Sequence, residues 1–375
     1  MLELLAEPSA VAAAQEAVLA SAHEGDGSLV ARCEDAVRRD PGRIVFDPAT
    51  GEGRLSLLGQ ELAAGRFETP SLSELRARLP GLGAAGAAPL RLCVLLGRAP
   101  LTDVGALQAI AGPGALFQVA SQFNCLESPG PYVVDVAEYL RDPTQGPRAS
   151  ISAFPGTLLR HYAAPADDGT RFVQSEARQL DLLRDALPPE VARVRGGYLS
   201  SEGVSDPAGL LPALEAGFER IRVGVHTGVQ VVLGYDFTGA VQGTPRIAQV
   251  FTSTYASGYS RRGALGEAHD PLCRLLLRAA YLGTLLAAVD QGARTVVLTA
   301  IGGGVFRNPH ALIWEAIEWA LDHTAQRLAA PLDVIFNARD VGVPRAELAA
   351  AAQARGGFLL ELERGRPPVW ERSSE

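Results

Sequence analysis

The order of apolar and polar positions is clearest in the last third of the chain. Apolar residues at 272, 275, 276, 279, 286 and 289 recur at helical spacing behind Asp270 and Pro271, and Gly292 ends the run. Residues 295–300 predict a strand, 302–309 a loop, 310–326 an amphipathic helix and 332–336 a buried strand. Helix, strand, glycine loop, helix and strand in that order mark a doubly wound α/β protein. Upstream, short apolar runs at 91–96, 115–120 and 247–252 suit buried strands. Residues 220–225 and 229–233 read as two strands across a turn at Thr227-Gly228, and 174–186 as a long helix.

The N-terminal part differs. Residues 1–40 are Ala-rich and helical in pattern, and Asp47-Pro48 marks a turn. Ser71 with Glu74 three residues on is a capping box. Pro80 to Pro89 is a Gly/Ala/Pro connector, so the expected division is an N-terminal helical extension over 1–85 and a main domain over 86–375.

Composition narrows the partners. With 375 residues and 47% hydrophobic content the chain can bury a large core. A net charge of −8 argues against a nucleic-acid backbone binder. A small anion remains compatible, because backbone N–H groups can hold it locally. The cysteines Cys33, Cys93, Cys125 and Cys273 include no CxxC pair, and the six histidines form no HExxH. No metal site is expected. The first residues carry Glu3, Glu7 and Glu16 without a basic region, and the longest apolar run, 275–289, is interrupted by Arg278. A soluble cytoplasmic protein with no membrane or nucleic-acid partner is the expectation.

Candidate chemistry concentrates in three stretches. Gly302-Gly303-Gly304-Val305-Phe306, followed by Arg307 and Asn308, joins a β-branched strand to a helix. Backbone free of Cβ atoms there can approach phosphate oxygens and present N–H groups to them. In the second stretch, Gln118, Gln122, Phe123, Asn124 and Glu127 lie on and beyond a buried strand, where α/β sheets bind ligands. Asn124 suits ribose hydroxyls, Phe123 suits a ring, and a strand-end turn capped by Asn is equally compatible. The third, Asp142-Pro143-Thr144-Gln145-Gly146-Pro147, is by itself a turn.

These stretches, with Gly65-Arg66-Phe67-Glu68-Thr69-Pro70, Glu74-Leu75-Arg76, Gln249-Val250-Phe251 and residues 298–308, occur in an order that resembles a divergent branch of the macrodomain family. That branch is related to the poly-ADP-ribose glycohydrolases and to a bacterial effector that removes ADP-ribose from ubiquitin. The resemblance spans roughly residues 65 to 340. It implies a three-layer α/β/α fold with a mixed central sheet and ADP-ribose as ligand, with no obligatory cofactor. The glycine loop would grip the diphosphate. Thr144 and Gln145 would contact ligand, and Phe336 or Asn337 would lie near the adenosine ribose. The implied activity is hydrolysis of an ADP-ribosylated protein, ubiquitin among the candidates, or of a related NAD-derived substrate. A non-catalytic ADP-ribose reader and an enzyme processing an NAD-derived metabolite in a biosynthetic or defence operon are the alternatives. Breaking a ribosyl C1″ bond builds oxocarbenium character that a carboxylate serves, which makes Glu127 and Asp270 the candidate acids, with Asn124 orienting the sugar. Asp270 before Pro271 also has the pattern of a helix N-cap. Departures from the branch are Arg98 where an adenine-reading Asp is expected, Asp103 displaced from it, and Arg278 and Leu282 in place of Glu.

Overall fold

The computed structural model describes residues 1–57, 59–79 and 88–372. The connector expected at 80–89, and with it the division at 85, lies mostly outside the described residues. The chain opens with helices α1 (Leu2–Ala6), α2 (Pro8–Ala20) and α3 (Ser28–Arg39), then strands β1 (Ile44–Phe46), β2 (Gly53–Leu57) and β3 (Gln60–Glu68), and helix α4 (Leu72–Arg78). Next come β4 (Leu90–Leu96), α5 (Val104–Ala109), β5 (Ala115–Ala120), α6 (Gln145–Ser152) and α7 (Phe154–Tyr162). A small ladder of β6 (Ala164–Pro165) and β7 (Arg171–Phe172) precedes α8 (Pro207–Gly217), β8 (Gly224–Gln230) and β9 (Arg246–Thr252). The last elements are α9 (His269–Asp290), β10 (Thr295–Thr299), α10 (His310–Ala325), β11 (Leu332–Arg339), α11 (Arg345–Ala354), β12 (Phe358–Glu361) and β13 (Val369–Glu371).

One sheet has the order β1-β2-β3-β8-β9-β5-β10-β11-β4-β12-β13. The six strands from β9 to β12 in that order are parallel, and both flanks are antiparallel. Helices cover both faces, with α4, α8 and α10 packed around α9 on one and α5, α6 and α7 on the other. Buried on both sides, the inner strands are nearly unbroken apolar runs; all five residues of β10 are buried. By length and hydropathy α9 could cross a membrane, but 78% of its most apolar window is buried in this core. The mixed three-layer architecture is the one expected.

Several local readings need correction. The segment over 44–68, read as part of a helical extension, forms β1–β3, and β3 pairs with β8 in the main sheet. The helix expected over 174–186 is a series of turns. Gln174 Oε1 accepts from Leu180 N (2.9 Å) and Asp181 Oδ1 from Leu183 N (2.8 Å), so side chains take the backbone donors a helix would use. The two strands expected around Gly228 are one strand, β8, whose register shifts between His226 and Val229 where Gly228 takes φ +69°. Helix α9 begins at His269, a residue before Asp270, so Asp270 sits in the first turn and Ala268 holds the N-cap position. The Ser71–Glu74 capping box forms as expected, with Glu74 N donating to Ser71 Oγ (3.2 Å) and Ser71 N to Glu74 Oε2 (2.7 Å).

Candidate functional site

In the sheet, β5 and β10 are neighbours whose connections leave in opposite directions, β5 toward β8 and β10 toward β11. The crevice beyond the carboxyl ends of such strands is where open α/β sheets bind ligands. Two adjoining clefts occupy it. The first, of about 170 Å³, is bounded by Gln122, Glu127, Asp142, Tyr198, Gly302 and Phe306, among others. The second, of about 360 Å³, is bounded by Arg98, Gln145, Gly303, His310 and Asn337. Thr144, Ala300 and Gly304 line both, which makes the glycine loop the sill between them.

The loop owes its shape to its neighbours. The Tyr281 hydroxyl, buried on α9, donates to Thr299 O (2.8 Å) and accepts from Ile301 N (3.1 Å), pinning the point where β10 ends. Gly302 has φ +71°, and a Cβ there would lie 2.6 Å from both Asn308 Nδ2 and Thr254 Oγ1, so any side chain would be strained and would push these two groups aside. His310 Nδ1 accepts from Gly342 N (2.7 Å), which leaves Nε2–H to donate to Gly303 O (3.2 Å). Among the described residues, the N–H groups of Gly302, Gly304, Val305 and Phe306 have no partner. Gly304 faces open space, with nothing within 4 Å of a built Cβ. Free N–H groups around an unobstructed glycine are what an anion cradle requires.

Opposite stands Glu127. It is 5% exposed, Oε1 is buried without a hydrogen bond, and burial pushes the carboxyl well above its usual range despite the pull of the Arg160 guanidinium. Gly146 allows this placement: a Cβ there would strike Ala120 O and lie 2.5 Å from Glu127 Oε2. The Thr144-Gln145-Gly146-Pro147 string is thus the first turn of α6, set against the end of β5 and the carboxyl. Asp142 brings a second carboxylate to the same cleft, its Oδ1 accepting from Thr144 N (2.9 Å). The sequence marked Asp142 only as part of a turn. Tyr198, Tyr259 and Phe306 close the cleft on a third side, with ring centroids 4.9–6.0 Å apart.

Arg160 is fully buried behind this site. Its Nε donates to Cys125 O (3.2 Å), its guanidinium lies 3.6 Å from the Phe251 ring centroid, and an Nη1–H reaches His226 Nδ1 (3.0 Å). His226 Nε2 donates to Ala64 O (2.6 Å), so its Nδ1 is free to accept, and burial holds the imidazole neutral. These bonds hold Cys125 at φ +61°, the kink that turns the chain toward Glu127. His161 beside it is buried and stacks on Tyr162.

The other expected ligand residues divide between the clefts and the scaffold. Asn124 Nδ2 donates to Gln179 Oε1 (2.8 Å) and Oδ1 accepts from Leu126 N (3.0 Å); the side chain braces the loop and lines neither cleft. Phe123 is buried in the core. Gln118 lies inside, bonded to Thr284 Oγ1 (2.9 Å) and Thr299 N (3.2 Å). Asn308 Nδ2 ties the glycine loop to Tyr255 O (3.0 Å). Of the pair at the end of β11, Phe336 stacks on Trp314 in the core, while Asn337 reaches the second cleft with Oδ1 unpaired. Gln122 lines the first cleft, its amide donating to Ser128 O, and Gln145 Oε1 accepts from Val104 N (2.9 Å). Asp270 lines a third, separate cleft.

The departures acquire physical roles. Arg98 pairs with Asp340 at the mouth of the second cleft. Asp103 caps α5 through Gly105 N (2.9 Å) and bridges to Arg148 (2.7 Å), so it is spent on structure. Arg278 pairs with Glu315 (2.7 Å), and Leu282 is core. Among the described residues no cluster of metal-ligating side chains forms.

No family model matches the chain, and no curated protein matches it significantly. Among solved structures, poly(ADP-ribose) glycohydrolase from Thermomonospora curvata is similar at 19% identity and a TM-score of 0.41, over 88% of this chain and 100% of that one. Its complex with the inhibitor ADP-HPD is similar at 17% identity, 0.41 and the same coverage. Poly(ADP-ribose) glycohydrolase from Deinococcus radiodurans in complex with ADP-ribose is similar at 14% identity and 0.41, over 77% of this chain and 93% of that one.

Proposed function

We propose that the protein is a hydrolase that releases ADP-ribose from an ADP-ribosylated protein or a related NAD-derived substrate, without a metal. The observation that carries this reading is the pairing of a buried carboxyl whose pKa burial raises, Glu127, with an unobstructed N–H cradle across one cleft. In this reading the second cleft takes the adenosine, with Asn337 at its wall, and the glycine loop takes the diphosphate. The terminal ribose enters the first cleft. Glu127 gives its proton to the atom leaving C1″ as that bond breaks, and the Asp142 carboxylate faces the developing positive charge. Water then adds to C1″ and returns a proton to Glu127, which restores the acid.

A reader of ADP-ribose would need the cradle but not the desolvated carboxyl, whose burial costs stability unless something is gained by it. The four cysteines are free and buried, which suits a reducing compartment, and we place the protein in the cytoplasm. A thermal-shift panel with ADP-ribose, NAD, AMP and phosphate tests the ligand, since whatever binds the folded state raises the melting temperature. ADP-ribose should give the largest shift, and no shift with ADP-ribose would end this reading. ADP-ribosylated ubiquitin is one target to assay for release.

A further inference from the structure

A third cleft, of about 810 Å³, opens beyond the aromatic wall of the first. The wall is two strips of chain, 257–261 and 304–307, joined where Gly258 N donates to Phe306 O (2.9 Å). Tyr259 and Phe306 face the first cleft, while Ser260 and Arg307 face the third. The third cleft therefore adjoins the first across this shared wall.

Its lining is positive on a protein of net charge −8. The chain has no lysine, so its fixed side-chain cations are all guanidinium groups. Arg261, Arg262 and Arg307 line this cleft, and among the described residues none has a carboxylate within ion-pair distance. Two carboxylates are present, Glu267 and Asp270. The second is engaged by His269 Nδ1 (2.8 Å), whose Nε2 accepts from the Ser257 hydroxyl (2.8 Å). The N-terminus of α9, 22 residues long and without a side-chain cap, supplies the first-turn residues of the wall. Tyr255, 1% exposed, also borders this lining. Three guanidinium groups in one cleft without carboxylate partners call for an acceptor with several oxygens, and guanidinium favours phosphate because its planar fork can donate twice.

We propose that the third cleft is a subsite for a phosphoryl group carried by the part of the substrate that leaves the ribose, an inference that rests on the hydrolase reading above. The protein would then select ADP-ribosylated sites that have a phosphate beside the modified residue. The test uses two mono-ADP-ribosylated peptides of one sequence, with and without a phosphoserine next to the modification. Their affinities are read by fluorescence anisotropy on the full-length Glu127→Gln protein, which holds substrate uncleaved. The phosphopeptide should bind at least tenfold more tightly (about 1.4 kcal/mol). Arg261→Ala/Arg262→Ala, added to that protein, should erase the difference while leaving the affinity for free ADP-ribose and the melting temperature unchanged. Inorganic phosphate should compete with the phosphopeptide alone. If it instead tightens binding of the plain peptide, the anion is free phosphate acting as an effector, and the substrate-borne proposal is overturned. Equal affinity for the two peptides, with ADP-ribose binding intact, also overturns it. Should ADP-ribose itself fail to bind, the hydrolase reading falls first, and calorimetry with inorganic pyrophosphate decides the cleft by itself. Heat lost in Arg261→Ala/Arg262→Ala but kept in Gly304→Val supports the anion site; no heat in wild type overturns it.

Discussion

Glu127→Gln separates catalysis from stability at one atom. Glutamine keeps the shape of the side chain and can still donate a hydrogen bond, but it cannot transfer a proton. If Glu127 is the acid, turnover should fall roughly 10²–10⁴-fold, the range for a lost general acid–base group and about 3–5 kcal/mol of barrier. Stability should move the other way. In the folded protein burial raises the carboxyl pKa well above its ordinary value, whereas in the unfolded chain it titrates normally. Folding therefore takes up a proton above the ordinary carboxyl range, and wild type loses stability as pH rises toward the folded pKa, by about 1.4 kcal/mol for each unit between the two values. Below the unfolded pKa both states are protonated, and the variant and wild type should melt together. The melting-temperature advantage of Glu127→Gln should thus be near zero at pH 4 and grow through neutrality. Melting curves from pH 4 to 8, set beside single-turnover release of ADP-ribose, read both effects. A variant that melts below wild type at pH 8, or turns over normally, would refute the buried-acid assignment.

Two further substitutions probe the loop and its support. Gly304→Val places a side chain where the protein has no atom within 4 Å, so the fold should be unaffected, while ADP-ribose affinity by calorimetry should drop at least tenfold, about 1.4 kcal/mol. At Gly303 a Cβ would instead press on His310 Nε2 and Ile313 Cδ1 at 3.1 Å, which makes Gly304 the cleaner probe. Glu34 on α3 is 1% exposed and accepts from Val136 N (2.5 Å), Ala137 N (2.7 Å) and Tyr162 Oη (2.8 Å), which caps the 3-10 turn at 136–141 that leads to Asp142. Glu34→Ala leaves three donors unpaired and should destabilise by about 2–4 kcal/mol in denaturant titration, with the 136–142 segment losing hydrogen-exchange protection first.

Sequence could reveal what depends on local chemistry. The glycine loop, the capping box and the helix–strand alternation after residue 270 are written in spacing and in residues that admit few backbone conformations. It could not separate ligand contacts from braces within one polar string. Gln118, Gln122, Asn124 and Glu127 lie within ten residues, yet Gln118 bonds beneath the sheet, Asn124 holds its own loop, and only Gln122 and Glu127 face the cleft. That sorting is decided by residues far away in the chain. Gln179 takes the Asn124 amide, Arg160 holds the Cys125 carbonyl, and the absent Cβ of Gly146 leaves room for the Glu127 carboxyl. The N-terminal strands were hidden for a related reason. β3 carries the run Leu62-Ala63-Ala64-Gly65 with a positive φ at Gly65, and those small residues have weak strand propensity. Adjacent to β8, however, a Cβ at Gly65 would collide with Thr227 O, so the glycine that weakens the pattern is the residue that lets the two strands approach. The same logic ties this edge to the site. β8 carries His226, which receives the Arg160 hydrogen bond on one ring nitrogen and reaches Ala64 O of β3 with the other. The segment read as an extension is therefore the far end of the hydrogen-bond chain that sets the turn before Glu127.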